Sequence, residues 1–246
     1  MTLTEQLLAA RQEGKALPLS AIKPPATMAA AYAVQQEISR TLGAIGGWKV
    51  GAAGPDAPVS GAPLPAAGIL PSGAVLGPEF TDRLIESEIA FRLARDLPPR
   101  AAPYARDEII AAIGSCQATI EAVDPRFTNH GGLDPLTILA DCGMHGGLVV
   151  GPPVAEWRPE MFSALRVVST VNGALQREVV GSNPGGTDLM RLLVWLANSE
   201  VVRAAGGLAA GAYVTTGSWT GADLLPAGAH VVGRFDGFPP VEATFT

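Results

Sequence analysis

Glu86-Ser87-Glu88 opens onto Ile89-Ala90-Phe91-Arg92-Leu93, a run in which large apolar side chains alternate with small or polar ones. That two-residue period describes a half-buried strand and points Glu86 and Glu88 to the same face. Two carboxylates side by side repel unless a cation sits between them, and a hard divalent cation with oxygen ligands meets that need. A second run, from Ser115 to Val123, places Gln117, Thr119 and Glu121 on one face and Cys116, Ala118 and Ile120 on the other. Glu121 is the expected third ligand. The competing reading of any such glutamate is a solvated outer strand face.

Three further places carry groups suited to chemistry. Lys49 lies in Gly47-Trp48-Lys49-Val50-Gly51, an extended segment bracketed by glycines. It either snorkels to the surface or faces a polar cavity, where burial or a metal would lower its pKa toward acid-base use. Asp141-Cys142-Gly143-Met144-His145 is a glycine-punctuated loop before the strand Leu148-Val149-Val150, and such a loop can bring Asp141 and His145 to a cavity. His145 is a candidate general base or hydrogen-bond donor, or else a structural histidine. Last, Thr215-Thr216-Gly217-Ser218 offers amides and hydroxyls of the kind that hold a small carboxylate, if it is not an ordinary turn.

Local patterns assign the elements that must position these groups. Thr2-Leu3-Thr4-Glu5 reads as a capping box for a first helix stopped by Gly14. A second helix starts at the candidate N-cap Thr27, carries Val34, Ile38 and Leu42 on one face and ends near Gly43, with an alanine-rich face suited to close packing. Residues 52–79 are dense in Ala, Gly and Pro and read as an irregular stretch with short strand pieces such as Gly68-Ile69-Leu70, a candidate lid. A helix is expected around 106–113, and residues 129–134 read as loop. The clearest local unit is the pair of runs 165–171 and 174–180 joined by Asn172-Gly173, a type I′ hairpin signal. Thr187 or Asp188 can cap a helix with Leu189, Leu192, Leu193 and Leu196 on one face, ended by Gly206-Gly207, and two short strands finish the chain. Strands outnumber helices and most joins read as short hairpins, which makes the fold class α+β, a mixed β architecture with packed helices. Residues 1–45 read as an N-terminal helical cap and 46–246 as a mixed β catalytic core.

Composition narrows the function. The chain has 246 residues, 48% of them hydrophobic and only 16% charged, enough for a substantial core. A net charge of −6 offers no basic stripe for a phosphate backbone, so nucleic acid is not an expected partner. The apolar runs are too short for a membrane span, and Met1-Thr2-Leu3-Thr4-Glu5 lacks the pattern of a secretory leader. Cys116 and Cys142 match no Cys-x-x-Cys spacing, and a reduced, cytoplasmic setting is expected.

In chain order, Gly47-Trp48-Lys49-Val50-Gly51, Ile85-Glu86-Ser87-Glu88-Ile89-Ala90-Phe91, Ile120-Glu121-Ala122-Val123-Asp124, Ala140-Asp141, Val194-Trp195-Leu196-Ala197-Asn198 and Thr215-Thr216-Gly217-Ser218-Trp219-Thr220 resemble the fumarylacetoacetate hydrolase superfamily. The similarity is greatest to the branch of 2-keto-4-pentenoate hydratases, 2-oxohept-4-ene-1,7-dioate hydratases and 4-oxalocrotonate decarboxylases. The resemblance implies a mixed β-roll with Mg²⁺ or Mn²⁺ held by Glu86, Glu88 and Glu121. It implies Lys49 as an active-site group with Asp141 or His145 as its candidate acid-base partner, and substrate contacts from the Asp141 loop, Trp48 and the turn at Thr216, Gly217 and Ser218. The implied reaction is hydration of a small 2-hydroxy-2,4-dienoate in aromatic-compound catabolism, by a homodimer or larger homo-oligomer. A 2-oxo-acid decarboxylase or an acylpyruvate hydrolase on the same metal site is an alternative, and a non-catalytic partner subunit or 2-oxo-acid binder is another. The hydrolase usually carries an early Glu-His pair, which this chain lacks. Relatives commonly show Asp-Asn where this chain has Asp141-Cys142, and His145 is the candidate replacement for the missing amide.

Overall fold

The structure is a computed structural model that describes residues 1–246, apart from the side chain of His130. Its strands are β1 (Ile45–Ala52), β2 (Val59–Pro65), β3 (Ile69–Pro71), β4 (Ala74–Leu76), β5 (Leu84–Leu93), β6 (Ile113–Val123), β7 (His145–Val150), β8 (Arg166–Val171), β9 (Ala174–Val180), β10 (Tyr213–Thr215), β11 (Asp223–Leu224), β12 (His230–Phe235) and β13 (Val241–Phe245). The helices are α1 (Leu3–Glu13), α2 (Met28–Leu42), α3 (Arg106–Ala112), α4 (Pro135–Ala140), α5 (Leu189–Asn198) and α6 (Glu200–Ala204). An eight-stranded sheet runs β2-β1-β10-β5-β6-β7-β3 with β11 paired to β5, and a five-stranded sheet runs β4-β13-β12-β8-β9. The α+β expectation holds. Among the described residues no helix is long and apolar enough to cross a membrane.

The long antiparallel pair β5–β6 is the spine, registered Leu84↔Val123, Glu86↔Glu121 and Glu88↔Thr119. Strand alternation gives it two faces. Ile85, Ile89, Phe91, Ala118 and Ile120 are buried among Val231, Phe235, Val241 and Phe245 of the other sheet. At about 1.5–3 kcal/mol for each fully buried large side chain, this interface is a main source of stability. The sheets approach closely at Gly233, where an added Cβ would sit 3.2 Å from Val241 and 3.7 Å from the Ser87 hydroxyl. The opposite face of β5–β6 carries the glutamates. Lys49 reaches that face because β1 pairs in parallel with β10 (Lys49↔Thr215) and β10 pairs with β5 (Thr215↔Ala90).

Both N-terminal helices form as the caps dictate. Thr2 and Glu5 make the reciprocal capping box and Gly14 closes α1 in the left-handed region, while the Thr27 hydroxyl accepts from Ala30 N. The two helices pack through Leu7 and Ile38 onto Ala62, Phe127 and Cys142. Both cysteines are free and buried. The hairpin at Asn172-Gly173 has both residues at positive φ, 51° and 79°. It joins β8 to β9 as the Asn-Gly signal requires.

Several expectations are corrected. Residues 52–79 are not a lid: β2 pairs along the whole of β1, β3 pairs with β7 and β4 with β13. Short hairpins do not dominate, since β1–β10, β3–β7 and β4–β13 are parallel pairs that need long crossovers. Within 129–134 a 3₁₀ turn covers His130–Gly132. Of the alanine-rich face of α2 only Ala31 is fully buried. Helix α5 stops at Asn198 and α6 starts again under the Ser199 cap, and Asp188 makes no cap hydrogen bond but pairs with Arg106 at 2.8 Å.

Candidate metal centre

Glu86, Glu88 and Glu121 each offer one carboxylate oxygen, and these oxygens all lie within 4.8 Å of one another. Glu121 and Glu88 are buried, at 0% and 1% exposure, and Glu86 is half-buried. One oxygen of Glu121 accepts from Lys49 Nζ at 2.6 Å and from His145 Nδ1 at 2.9 Å. One oxygen of Glu88 accepts from Gly217 N at 3.1 Å and from the Thr215 hydroxyl. The remaining oxygens, Glu88 Oε1 and Glu121 Oε2, are buried without a hydrogen-bond partner. Buried carboxylate oxygens left bare are costly. Three carboxylates and one ammonium sum to −2 when all are ionised, a deficit that one divalent cation cancels. The donor set, all hard oxygens with two lacking partners, fits Mg²⁺ or Mn²⁺.

Burial pushes the Glu88 carboxyl well above the ordinary carboxylate value, with Glu121 and Glu86 adding repulsion. Glu86 is also raised by burial, Lys49 working against this. For Glu121 burial is outweighed by Lys49 and His145, which hold it down to about 2. The expectation that Lys49 has a lowered pKa is overturned: burial pulls it down, but Glu121, Glu86 and Glu88 together push it above its ordinary value. Its ammonium also donates to Gly143 O at 2.9 Å.

These groups stand at the head of a cavity of about 560 Å³. Lys49, Glu86, Glu88, Thr216, Gly217 and Ser218 line it. The turn after β10 is not a set of free donors, however. Thr216 Oγ1 donates to Ile89 O at 2.7 Å, Ser218 Oγ donates to Gly221 O at 3.1 Å, and the Gly217 amide is taken by Glu88. Buried polar groups satisfy each other before a ligand arrives.

Asp141, His145 and Trp48 are not brought to the cavity lining. Trp48 precedes Lys49 on β1, so alternation turns it to the other face, where it is 2% exposed beside α2 and α6. Asp141 accepts from the backbone N and guanidinium of Arg126, at 3.1 and 3.2 Å. His145 is fully buried behind Glu121, and burial lowers its pKa against the pull of that carboxylate. With Glu121 ionised, Nδ1 is the protonated nitrogen of a neutral ring. Its backbone carbonyl accepts from both Arg126 and Arg11, the latter at 2.7 Å.

Sequence reasoning missed Asn183, whose amide donates to Thr216 O and Gly217 O at 3.0 Å each and so fixes the turn. It missed Gln35, which donates to Leu139 O at 2.9 Å and ties α2 to the cavity wall. Its one signal was a glutamine on the apolar side of α2. Also missed was the turn Cys142-Gly143-Met144, with φ of 51°, 66° and 60°, which aims the Gly143 carbonyl at Lys49. Nothing in Cys or Met announces a left-handed backbone.

No protein-family model matches the sequence, nor does any curated protein. Solved structures do match. A 4-oxalocrotonate decarboxylase from Pseudomonas putida G7, complexed with calcium and acetate, superposes with a TM-score of 0.80 at 23% identity, over 99% of this chain and 96% of that one. The same enzyme complexed with magnesium and adipate gives 0.77 at 23% identity, over 100% and 99%. A fumarylpyruvate hydrolase from Pseudomonas aeruginosa in complex with Mn²⁺ and pyruvate gives 0.59 at 11% identity, over 81% and 88%. Over nearly its whole length this chain has the fold of the 4-oxalocrotonate decarboxylase structures, the α+β fold that its ordered motifs lead one to expect.

Proposed function

We propose that this chain is a divalent-cation-dependent lyase that adds water to a small 2-hydroxy-2,4-dienoate, giving a 4-hydroxy-2-oxo acid. The observation that carries the reading is the convergence of three glutamates, of which Glu86 and Glu88 line the cavity beside Lys49 and Glu121 lies buried against them. Glu86, Glu88 and Glu121 would hold Mg²⁺ or Mn²⁺. When bound, the cation supplies a Lewis acid for the carboxylate and 2-oxygen of a 2-oxo acid. Lys49 is the one cation among the described residues lining the cavity, held charged between Glu121 and Gly143 O. Its ammonium is the group placed to pass a proton to the dienol, and it recovers that proton from water at the open side. Ketonisation puts a proton on the terminal carbon while the 2-hydroxyl gives one up, and water then adds its hydroxyl at C4 and a proton at C3, so that the substrate gains one water overall. Asp141 and His145 act as positioning residues: Arg126 anchors the first, and the second presses Glu121 into place from behind.

A second reading, decarboxylation of an unsaturated 2-oxo diacid, is favoured by the full-length similarity to a decarboxylase. One assay separates the two. The protein is incubated with 2-hydroxypenta-2,4-dienoate, with and without Mn²⁺, while dienol absorbance is followed. Metal-dependent loss of the dienol without gas release is the expected result. Inertness toward this compound, with CO₂ released from the diacid, would replace hydration by decarboxylation.

A further inference from the structure

The strand register that assembles the carboxylates also fixes what lies next to them. On the cavity face of β5–β6 the pair after Glu86↔Glu121 is Leu84↔Val123, two residues or about 7 Å further along the strands. Leu84 and Val123 both line the cavity and are buried, at 7% and 3% exposure. Ile138 of α4 and Met144 line it as well, so this side of the cavity is aliphatic, while Ser60, Asn183 and Ser218 line other parts of it.

Nearby cations are already engaged. Arg126 donates to Asp124, Asp141 and His145 O, and Arg11 donates to the same carbonyl. Arg83 donates to Leu225 O and Arg191 to Gly185 O. None of these four lines the cavity. Among the described residues, a substrate carboxylate laid against Leu84, Val123 and Ile138 would give up part of its water on that side and meet no counter-charge, which is penalised.

From this, and resting on the reading above that the glutamates anchor the substrate head, we infer that the substrate is a monocarboxylic 2-oxo acid, or its dienol, whose remote end is an uncharged hydrocarbon seated on Leu84, Val123, Ile138 and Met144. Dicarboxylates are rejected.

Calorimetry on the Mn²⁺-loaded protein tests the inference without requiring turnover. Affinity should rise about fourfold per methylene from 2-oxobutanoate through 2-oxopentanoate to 2-oxohexanoate. 2-Oxoadipate should bind at least about 30-fold more weakly than 2-oxohexanoate. Ile138→Lys, at a half-buried helix position, should close most of that gap by supplying the missing charge. 2-Oxoadipate binding as tightly as 2-oxohexanoate in the unaltered protein would overturn the inference whatever the enzyme turns over. If the preference holds but no dienoate is hydrated, the tail assignment stands and hydration falls. If neither acid binds with Mn²⁺ present, both fall.

Discussion

At the scale of single residues the centre is a contest between burial and charge. Lys49 stays protonated because three carboxylates surround it, and Glu121 stays ionised because Lys49 and His145 hold it so. Lys49→Met should therefore cost about 10²–10⁴ in kcat while binding Mn²⁺ at least as tightly, since one competing positive charge is gone. Mn²⁺ titration alongside steady-state rates checks this. The glutamates also set a pH dependence. Glu86 and Glu88 have raised folded values, so the stability they contribute is present below the ordinary carboxylate range and lost as pH climbs through those values. Glu121, held down to about 2, contributes stability above that range and loses it only as pH falls toward 2. A cation needs all three deprotonated. The rise in Tm on adding Mn²⁺ should accordingly be larger at about pH 8 than at about pH 5.5, as differential scanning fluorimetry across that range would show. Glu88→Gln should abolish most of the rise. The glutamates were legible because strand alternation is local. The direction of Asp141 and His145 was not, because it depends on a backbone that two side chains disfavour.

At the scale of elements the turn 142–144 sets where the lysine ends. A Cβ on Gly143 would stand 3.1 Å from Lys49 Cδ and Cε, on a residue with φ of 66°. Gly143→Ala should cost about 1 kcal/mol or more of stability from the backbone alone. It should lower kcat with little change in Mn²⁺ affinity, because the lysine moves and the carboxylates do not. Chemical denaturation together with kinetics separates the two effects. The caps of α1 and α2 and the Asn172-Gly173 hairpin could be read directly, each being specified by residues within a few positions. Strands β2 and β4 could not, and of β3 only the short piece at 68–70 could. Their sequences are rich in Pro, Gly and Ala, and they become strands only because β1, β7 and β13, distant in the chain, supply partners.

At the scale of the molecule the N-terminal helices are part of the site's frame. Gln35 donates to Leu139 O and, at 3.4 Å, to Gly61 O, joining α2 to two walls of the cavity. Gln35→Leu removes the donor from buried carbonyls, at about 1–3 kcal/mol. A fall in Tm of roughly 2–4 °C per kcal/mol is expected for a chain of this size, together with a raised KM. The sheet order could not be read from the sequence, since parallel pairs such as β1–β10 follow from packing across much of the chain. The two sulfhydryls offer a way to watch that packing. Cys116 and Cys142 are 0% and 4% exposed, and burial pushes the Cys142 thiol up to about 12, so neither presents a thiolate to solvent. Alkylating reagents must wait for the chain to open. Cys116 sits in the seam between the sheets and Cys142 under the N-terminal helices, in the turn that receives Lys49, so their separate labelling rates form a pair of clocks, one for the body of the protein and one for the frame of its centre. A cation that tightens the centre should slow the second clock more than the first.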